Sequence, residues 1–329
     1  MSELVTLSEE LTDAEWLAEI ADIGAERGYF EPIGDDHSAL FVDTALDVLL
    51  VSFDTIGSAR AGSASGIPHG MLQAEVNGWS HLSILTKTAS WFRDENLYAY
   101  FDRLIDEAFF EDFDKVIFYG AGMCGYAAAA FSVAAAGATV ILAGPVATLD
   151  PEIAGWDDRY SGARSKDFRT RYGYAPAMVD AAERVVLFYD PTEELDAMHA
   201  ALFQGEQVTK VRFRHAGPRI GSELQAMNVL ARVFKDAADG ALSEKEIYRA
   251  LRRRREYTPY LRHLLNRVHI EDRDFLTAIL CRAVLTRREA PRFRHHLDTA
   301  EKKLSAAGKT LPPMRRAKRA ADKLPELGP

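Results

Sequence analysis

Residues 114 to 144, DKVIFYGAGMCGYAAAAFSVAAAGATVILAG, carry the densest chemical signal in the chain. An apolar run ends in Gly120-Ala121-Gly122-Met123-Cys124-Gly125, which opens an alanine-rich helix and then a second apolar run. The glycines match G-x-G-x-x-G, the turn that lets a backbone approach a pyrophosphate. That chemistry also needs an acid at the end of the second strand to hold the ribose hydroxyls. Ala143 and Gly144 stand there instead, and Asp150 comes six residues late. Nucleotide binding through Gly120–Gly125 therefore remains a subordinate reading, and no cofactor is expected. The same turn holds Cys124, with Asp190 after VVLFY and His215 in RFRHAGPRIG. These three can be written as nucleophile, orienting acid and base, the thiol activated by the helix N-terminus that follows. The plainer alternative makes Cys124 a small buried residue at a helix start. Asp190, in DPTEE, is then the cap of the next helix.

A strand-to-helix turn of small residues is also the form of a nucleophile elbow, usually spelled G-x-S-x-G. In that register Gly120 is the first glycine, Gly122 stands where serine belongs, and Cys124 stands where the second glycine belongs. YGAGMCGYAA (119–128) resembles the elbow Y-G-S-S-M-G-G-Y-A-A of a bacterial group of α/β-hydrolase-like proteins of serine esterase and acyltransferase type. LLVSFDT, GWSHLSIL, WFRD, TLDP with WDDRY, and LFYDP resemble the same group, so the likeness covers residues 45 to 235. It implies a serine at the elbow, an acid after a late strand and a Gly-His pair after the next strand. Asp190 fits the acid, with Asp196 as second choice. At the Gly-His position Gly217 is followed by Pro218, and His215 lies three residues early. Gly122 has no side chain to attack with, and Pro218 has no basic nitrogen. The resemblance thus implies a hydrolase-like scaffold emptied at two triad positions and acting by binding or scaffolding. Gly120, Gly122, Met123, Gly125, Phe53 and Asp54 would line what is left of the pocket. An active hydrolase or acyltransferase using Cys124, His215 and Asp190 stands as the alternative.

The elements needed to hold such a turn are legible. LDVLLVSF at 46–53 is a near-continuous apolar run, as a sheet covered on both faces requires. Strands and helices alternate from about 46 to 235, predicting an α/β fold with a mostly parallel sheet flanked by helices. Residues 13–28 read as an amphipathic helix, 56–70 as a Gly/Ser-rich loop, 145–175 as a long loop, and 222–234 as one helix. Beyond Gly240 only helices are expected. The expected organisation is a helical segment at 1–29, the hydrolase-like domain at 30–238, and a basic helical extension at 239–329 with a partly disordered tail.

The 329 residues are 47% hydrophobic and 27% charged, ordinary for a globular protein. Two distant cysteines give neither a zinc nor a disulfide framework, and an acidic N-terminus lacks a secretion pattern, so a cytoplasmic setting is expected. Residues 126 to 149 carry no charge, but Gly137, Gly144 and Pro145 interrupt them, which argues against a membrane span. Residues 241–329 hold 22 Lys+Arg against 11 Asp+Glu, leaving −20 on residues 1–240. An acidic body with a basic appendage argues against nucleic acid. The resemblance implies a small-molecule or acyl ligand for the body, and a protein partner is expected for the basic helices around RRRR at 252–255. Neither a G-x-x-x-x-G-K-[ST] loop nor an H-E-x-x-H helix occurs, and no metal site is expected.

Overall fold

The computed structural model describes residues 5–313, and the chain divides after Arg253 into two compact units. Most of the basic tail expected to be disordered lies outside the described residues. In the first unit α1 (Asp13–Arg27) leads into β1 (Gly28–Ile33), β2 (His37–Val42) and β3 (Val48–Thr55). Thr12 caps α1 with a full capping box to Glu15, which is why the helix starts there. Next come α2 (Ile56–Ala61), α3 (His69–Asn77), β4 (Ser80–Thr86), α4 (Glu95–Asp106), β5 (Lys115–Ala121), α5 (Met123–Phe131) and β6 (Thr139–Ala143). The one-turn helices α6 (Pro151–Ala154) and α7 (Ala175–Met178) precede β7 (Arg184–Tyr189), α8 (Glu194–Leu202) and β8 (Val208–Arg212). The unit continues through α9 (Ile220–Ala226), α10 (Val229–Ala238) and α11 (Glu244–Ala250). The second unit holds α12 (Thr258–Ile270), α13 (Asp274–Leu285) and α14 (Pro291–Ala306), with Ala278, Ala300 and Leu304 buried together at its core.

The strands form one eight-stranded sheet in the order β1-β2-β4-β3-β5-β6-β7-β8. The pairs β1-β2 and β2-β4 are antiparallel, and from β4 through β3, β5, β6 and β7 to β8 every pair is parallel. This is the α/β-hydrolase-like arrangement, with the glycine turn on its fifth strand. Alternation along each strand sorts the core into two layers. Leu49, Val51 and Phe53 of β3 join Phe118, Phe131 and Phe101 on one face, under α4 and α5. Leu40, Val42 and Leu85 meet Trp16, Ile20, Ile56 and Met71 on the other, under α1, α2 and α3.

Three expectations change in detail, and the reading of 126–149 as a helix giving way to a strand holds. The strand β1 escapes the sequence pattern, because Gly28 and Pro32 break its apolar run; it pairs only with β2, and a proline is tolerated on such an edge. The loop at 56–70 contains α2, seeded by the Thr55–Ser58 capping box, and reaches the start of α3. The helix expected over 222–234 is two helices, broken at Asn228, whose φ of +52° takes it out of the helical region. The uncharged stretch at 126–149 is divided between α5 and β6, and among the described residues no helix is long and apolar enough to cross a membrane.

Candidate active site

The turn between β5 and α5 is set by its glycines. A Cβ added to Gly120 would lie 2.0 Å from the Cys124 carbonyl oxygen and 2.8 Å from the Gly125 nitrogen, so only glycine lets the strand end against the first helical turn. Gly125 in turn packs on Pro145, 3.2 Å from where its Cβ would be. Gly122 is different. Its φ of +58° and ψ of −121° form the sharp change of direction from strand to helix, and a Cβ there would meet nothing within 4 Å. A residue at this position therefore points into open space while its backbone stays strained. Its N–H is tied to the Ala143 carbonyl at 3.0 Å, and its carbonyl accepts the Tyr126 N–H at 3.0 Å.

Cys124 sits one residue inside α5 and is 7% exposed. Burial pushes its thiol well above the ordinary range, the nearby Asp54 carboxyl adds to this, and a backbone hydrogen bond from Thr55 opposes it only in part. A thiol so placed is held protonated and is a poor nucleophile. Met123 is half-buried at the edge of the aromatic core. Phe53 lies within that core, 1% exposed, edge-on to Phe92 at 5.4 Å and stacked on Phe131 at 5.7 Å, so it does not line the cleft.

Asp190 and His215 do meet, through the backbone. One Asp190 oxygen accepts from the Thr192 N–H at 2.8 Å and the Thr192 hydroxyl at 2.7 Å; the other accepts from the Gly217 N–H at 2.9 Å. Burial tends to raise this carboxyl, but these bonds and one from the His215 N–H outweigh it and leave it below the ordinary value. Asp190 thus pins the loop after β8 to the end of β7; the cap position of α8 belongs to Glu193. His215 is half-buried with φ +63°, and its Nδ1 is 3.5 Å from the Thr192 hydroxyl. Pro218 is exposed in the same loop. Asp196 is drawn elsewhere, accepting from Arg159 at 2.6 Å. The structure brings Asp190 to His215, while Cys124 has Asp54 and Thr55 for neighbours.

Asp54 ends β3 beside the turn. Ser52 pairs with Tyr119 across β3 and β5, so two residues on Asp54 comes level with Ala121. Burial raises its carboxyl to about 7 against weak bonds from the Ser58 hydroxyl at 3.3 Å and the Ser52 hydroxyl at 3.4 Å. With Ser52 donating to Asp54, the His81 Nε2–H donates to Ser52 at 2.9 Å. Gly70 of α3 presses on this pair, its position for a Cβ lying 2.7 Å from Ser52 Oγ and 2.8 Å from His81 Nε2. His69 packs against Tyr119 and Phe234, with both ring nitrogens buried and unpartnered; His81 Nδ1 and Ser83 Oγ are likewise buried without partners. Burial lowers His69 to about 4 and His81 to about 3.

Sequence reasoning takes His69 and His81, in or near the Gly/Ser-rich loop, as structural or exposed residues and misses this buried layer. Its trace is the strand SHLSILT, where Ser80, His81 and Ser83 are interspersed with Leu82 and Ile84 although the whole strand is buried. It also missed His199, which is fully buried on α8. The Ala147 N–H donates to His199 Nδ1 at 3.2 Å, which leaves the proton on Nε2 to donate to Asp157 at 2.9 Å. Burial opposes ionisation of Asp157, but hydrogen bonds from Arg159 and His199 prevail and hold it at about 2. With both nitrogens engaged, His199 ties the 145–165 segment to α8. The visible trace is the WDDRY stretch.

Among the described residues no group of His, Cys, Asp and Glu is arranged to hold a metal ion. A cavity of about 570 Å3 opens at the opposite edge of the sheet, lined by Asp114, Lys115, Gly137, Thr139, Glu183 and Arg184 at the N-terminal ends of β5 to β7. Ligands of open parallel sheets bind at the carboxyl ends of the strands, so the turn at Gly122, where an added Cβ would meet nothing, is the better candidate site.

No protein-family model and no curated protein matches the chain. Solved structures similar to it include EstE1, a thermostable carboxylesterase cloned from a metagenomic library, at 16% identity over 74% of this chain and 99% of that one, with a TM-score of 0.38. An esterase from Pyrobaculum calidifontis is 14% identical over 70% of this chain and 92% of its own, with a TM-score of 0.42. An acylaminoacyl peptidase from Pyrococcus horikoshii is 9% identical over 68% of this chain and 43% of its own, with a TM-score of 0.45. At these identities and TM-scores nothing about activity passes from those proteins to this chain, whose α/β-hydrolase-like fold stands on its own strand order.

Proposed function

We propose that this chain is a catalytically degenerate α/β-hydrolase-like protein that binds a small molecule or acyl ligand at the elbow and does not hydrolyse it. The reading rests on Gly122, a residue without a side chain at the strained strand-to-helix turn where hydrolysis on this fold needs a nucleophile. Three further observations support it. Pro218 has no basic nitrogen, and Cys124 is buried and kept protonated. The Thr55 N–H, from the segment after β3 that supplies an oxyanion donor in hydrolases, is engaged by the Ser58 hydroxyl at 2.9 Å and by the Cys124 sulfur. In this proposal residues 30–238 form the ligand-binding domain. The basic helices from residue 239 onward serve an acidic protein partner, in a cytoplasmic setting.

Ester and thioester hydrolysis across short and medium acyl chains tests the reading, with wild type run beside Cys124→Ala. Both should match the buffer rate to within the residual ~10³–10⁴-fold over water that a scaffold without its triad retains. Turnover by wild type that vanishes in Cys124→Ala would make this a cysteine hydrolase.

A further inference from the structure

We propose that the cavity at the N-terminal ends of β5, β6 and β7 is a second binding site, for a chain-like zwitterion with its ammonium and carboxylate groups at opposite ends, such as an ω-amino carboxylate or a short peptide. The inference does not depend on the reading of the elbow, which lies at the other end of β5. The cavity's volume of about 570 Å3 falls within the usual range for small-molecule sites, about 300–1,000 Å3.

Strand register brings its cations together. Thr139 is paired with Ile117 on one side and Arg184 on the other, so the three share one face of the sheet, and Lys115, two residues before Ile117, shares it too. That face is covered by α10. Lys115 Nζ donates to the Ala238 carbonyl at the end of this helix, and Arg184 donates to the Leu242 carbonyl beyond it. Both acceptors are neutral, and an ammonium with three donors and a guanidinium with five keep others to offer a ligand carboxylate, a stronger acceptor. The Thr139 hydroxyl stands on the strand between them.

The other wall is acidic and apolar. Glu111 follows Phe110 and Asp114 follows Phe113, both phenylalanines being buried in the aromatic core on the α4 and α5 side, and exposed Val133 comes just after α5. Glu183 joins these acids in the lining. Among the described residues no acid comes within 4.0 Å of the charged nitrogens of Lys115 or Arg184. Charges of both signs thus line one cavity without neutralising each other. A Cβ added at Gly137, between the two walls, would meet nothing within 4 Å, so the floor is open there. A ligand of single charge would meet like charge across the cavity, whereas a zwitterion is complementary to both walls.

Calorimetric titration of the full-length protein with 6-aminohexanoate, sodium hexanoate and n-hexylammonium chloride tests this. The zwitterion should bind at least about tenfold more tightly than either analogue, since each analogue lacks one charge-assisted contact. Arg184→Gln, which can still donate to the Leu242 carbonyl, should weaken 6-aminohexanoate about tenfold and leave hexylammonium unchanged. The double variant Asp114→Asn, Glu183→Gln should weaken 6-aminohexanoate by a similar factor and leave hexanoate unchanged. The ranking of the three ligands on wild type decides the matter should a variant fold poorly. Binding of either analogue as tight as that of the zwitterion, binding of none of the three, or wild-type affinity for 6-aminohexanoate in either folded variant would overturn the proposal.

Discussion

Gly120→Ala is expected to abolish soluble expression or cost more than about 4 kcal/mol, while Gly122→Ser at the same turn folds with a loss of about 1–3 kcal/mol. The two glycines are two residues apart and do different work. A methyl at Gly120 would stand 2.0 Å from the Cys124 carbonyl oxygen and 2.4 Å from its carbon. Both neighbours are backbone, so no side-chain rotation relieves the clash. Moving α5 away would expose Ala127 through Phe131, all fully buried. Moving β5 would break its pairing with β6 at Gly120–Leu142. At Gly122 the added atoms enter open space, and only the positive φ is penalised. Urea denaturation of the soluble variants measures the difference. Equal stability of the two variants would mean that the turn is not packed in this way.

Acid unfolding should begin unusually early. His69 and His81 are neutral in the fold at about 4 and 3, against an ordinary value near 6.5 in the unfolded chain. Their contribution to stability is therefore whole above pH 6.5 and is lost as the pH falls, since the unfolded chain takes up the protons first. At pH 4 each forfeits about 3 kcal/mol. Asp54 works in the opposite sense. Its raised carboxyl favours the fold at low pH and weakens it as the pH rises through 7, by about 1–2 kcal/mol after allowance for its partial exposure. The net expectation is a loss of about 4 kcal/mol between pH 7 and pH 4. His69→Phe should remove close to half of the histidine share, because its ring nitrogens have no partners to lose and Tyr119 and Phe234 accept an aromatic neighbour. Denaturant midpoints across that pH range for wild type and His69→Phe are the check. A flat profile in wild type would show that these imidazoles are solvated.

The parts of this molecule that can be read from its sequence are those where one local pattern determines the outcome. The apolar runs of β3, β5 and β6 and the glycine turn between them need no knowledge of the rest of the chain. The helix break at Asn228 is hidden because the apolar spacing continues through it on both sides. Phe53 reads as a pocket residue from its place at the end of a strand, but strand alternation turns it to the face opposite Asp54. The Asp157–His199 pair is joined across 42 residues, and Ser52–His81 across 29, so no spacing rule reports either. Asp190 is legible as an acid at the right strand end. That it holds the Gly217 backbone depends on how the following loop folds back.

Thiol reactivity of the native protein tests the emptied elbow most directly. Cys124 and Cys281 are both buried, with Cys281 pushed up to about 12. Wild type treated with iodoacetamide at neutral pH should therefore stay unmodified over the time in which an exposed thiol reacts fully. Gly122→Cys should gain a single adduct at that position, because its side chain would stand in open space at the turn. Rapid modification of Cys124 in wild type, or a Gly122→Cys protein that stays unlabelled, would contradict the account.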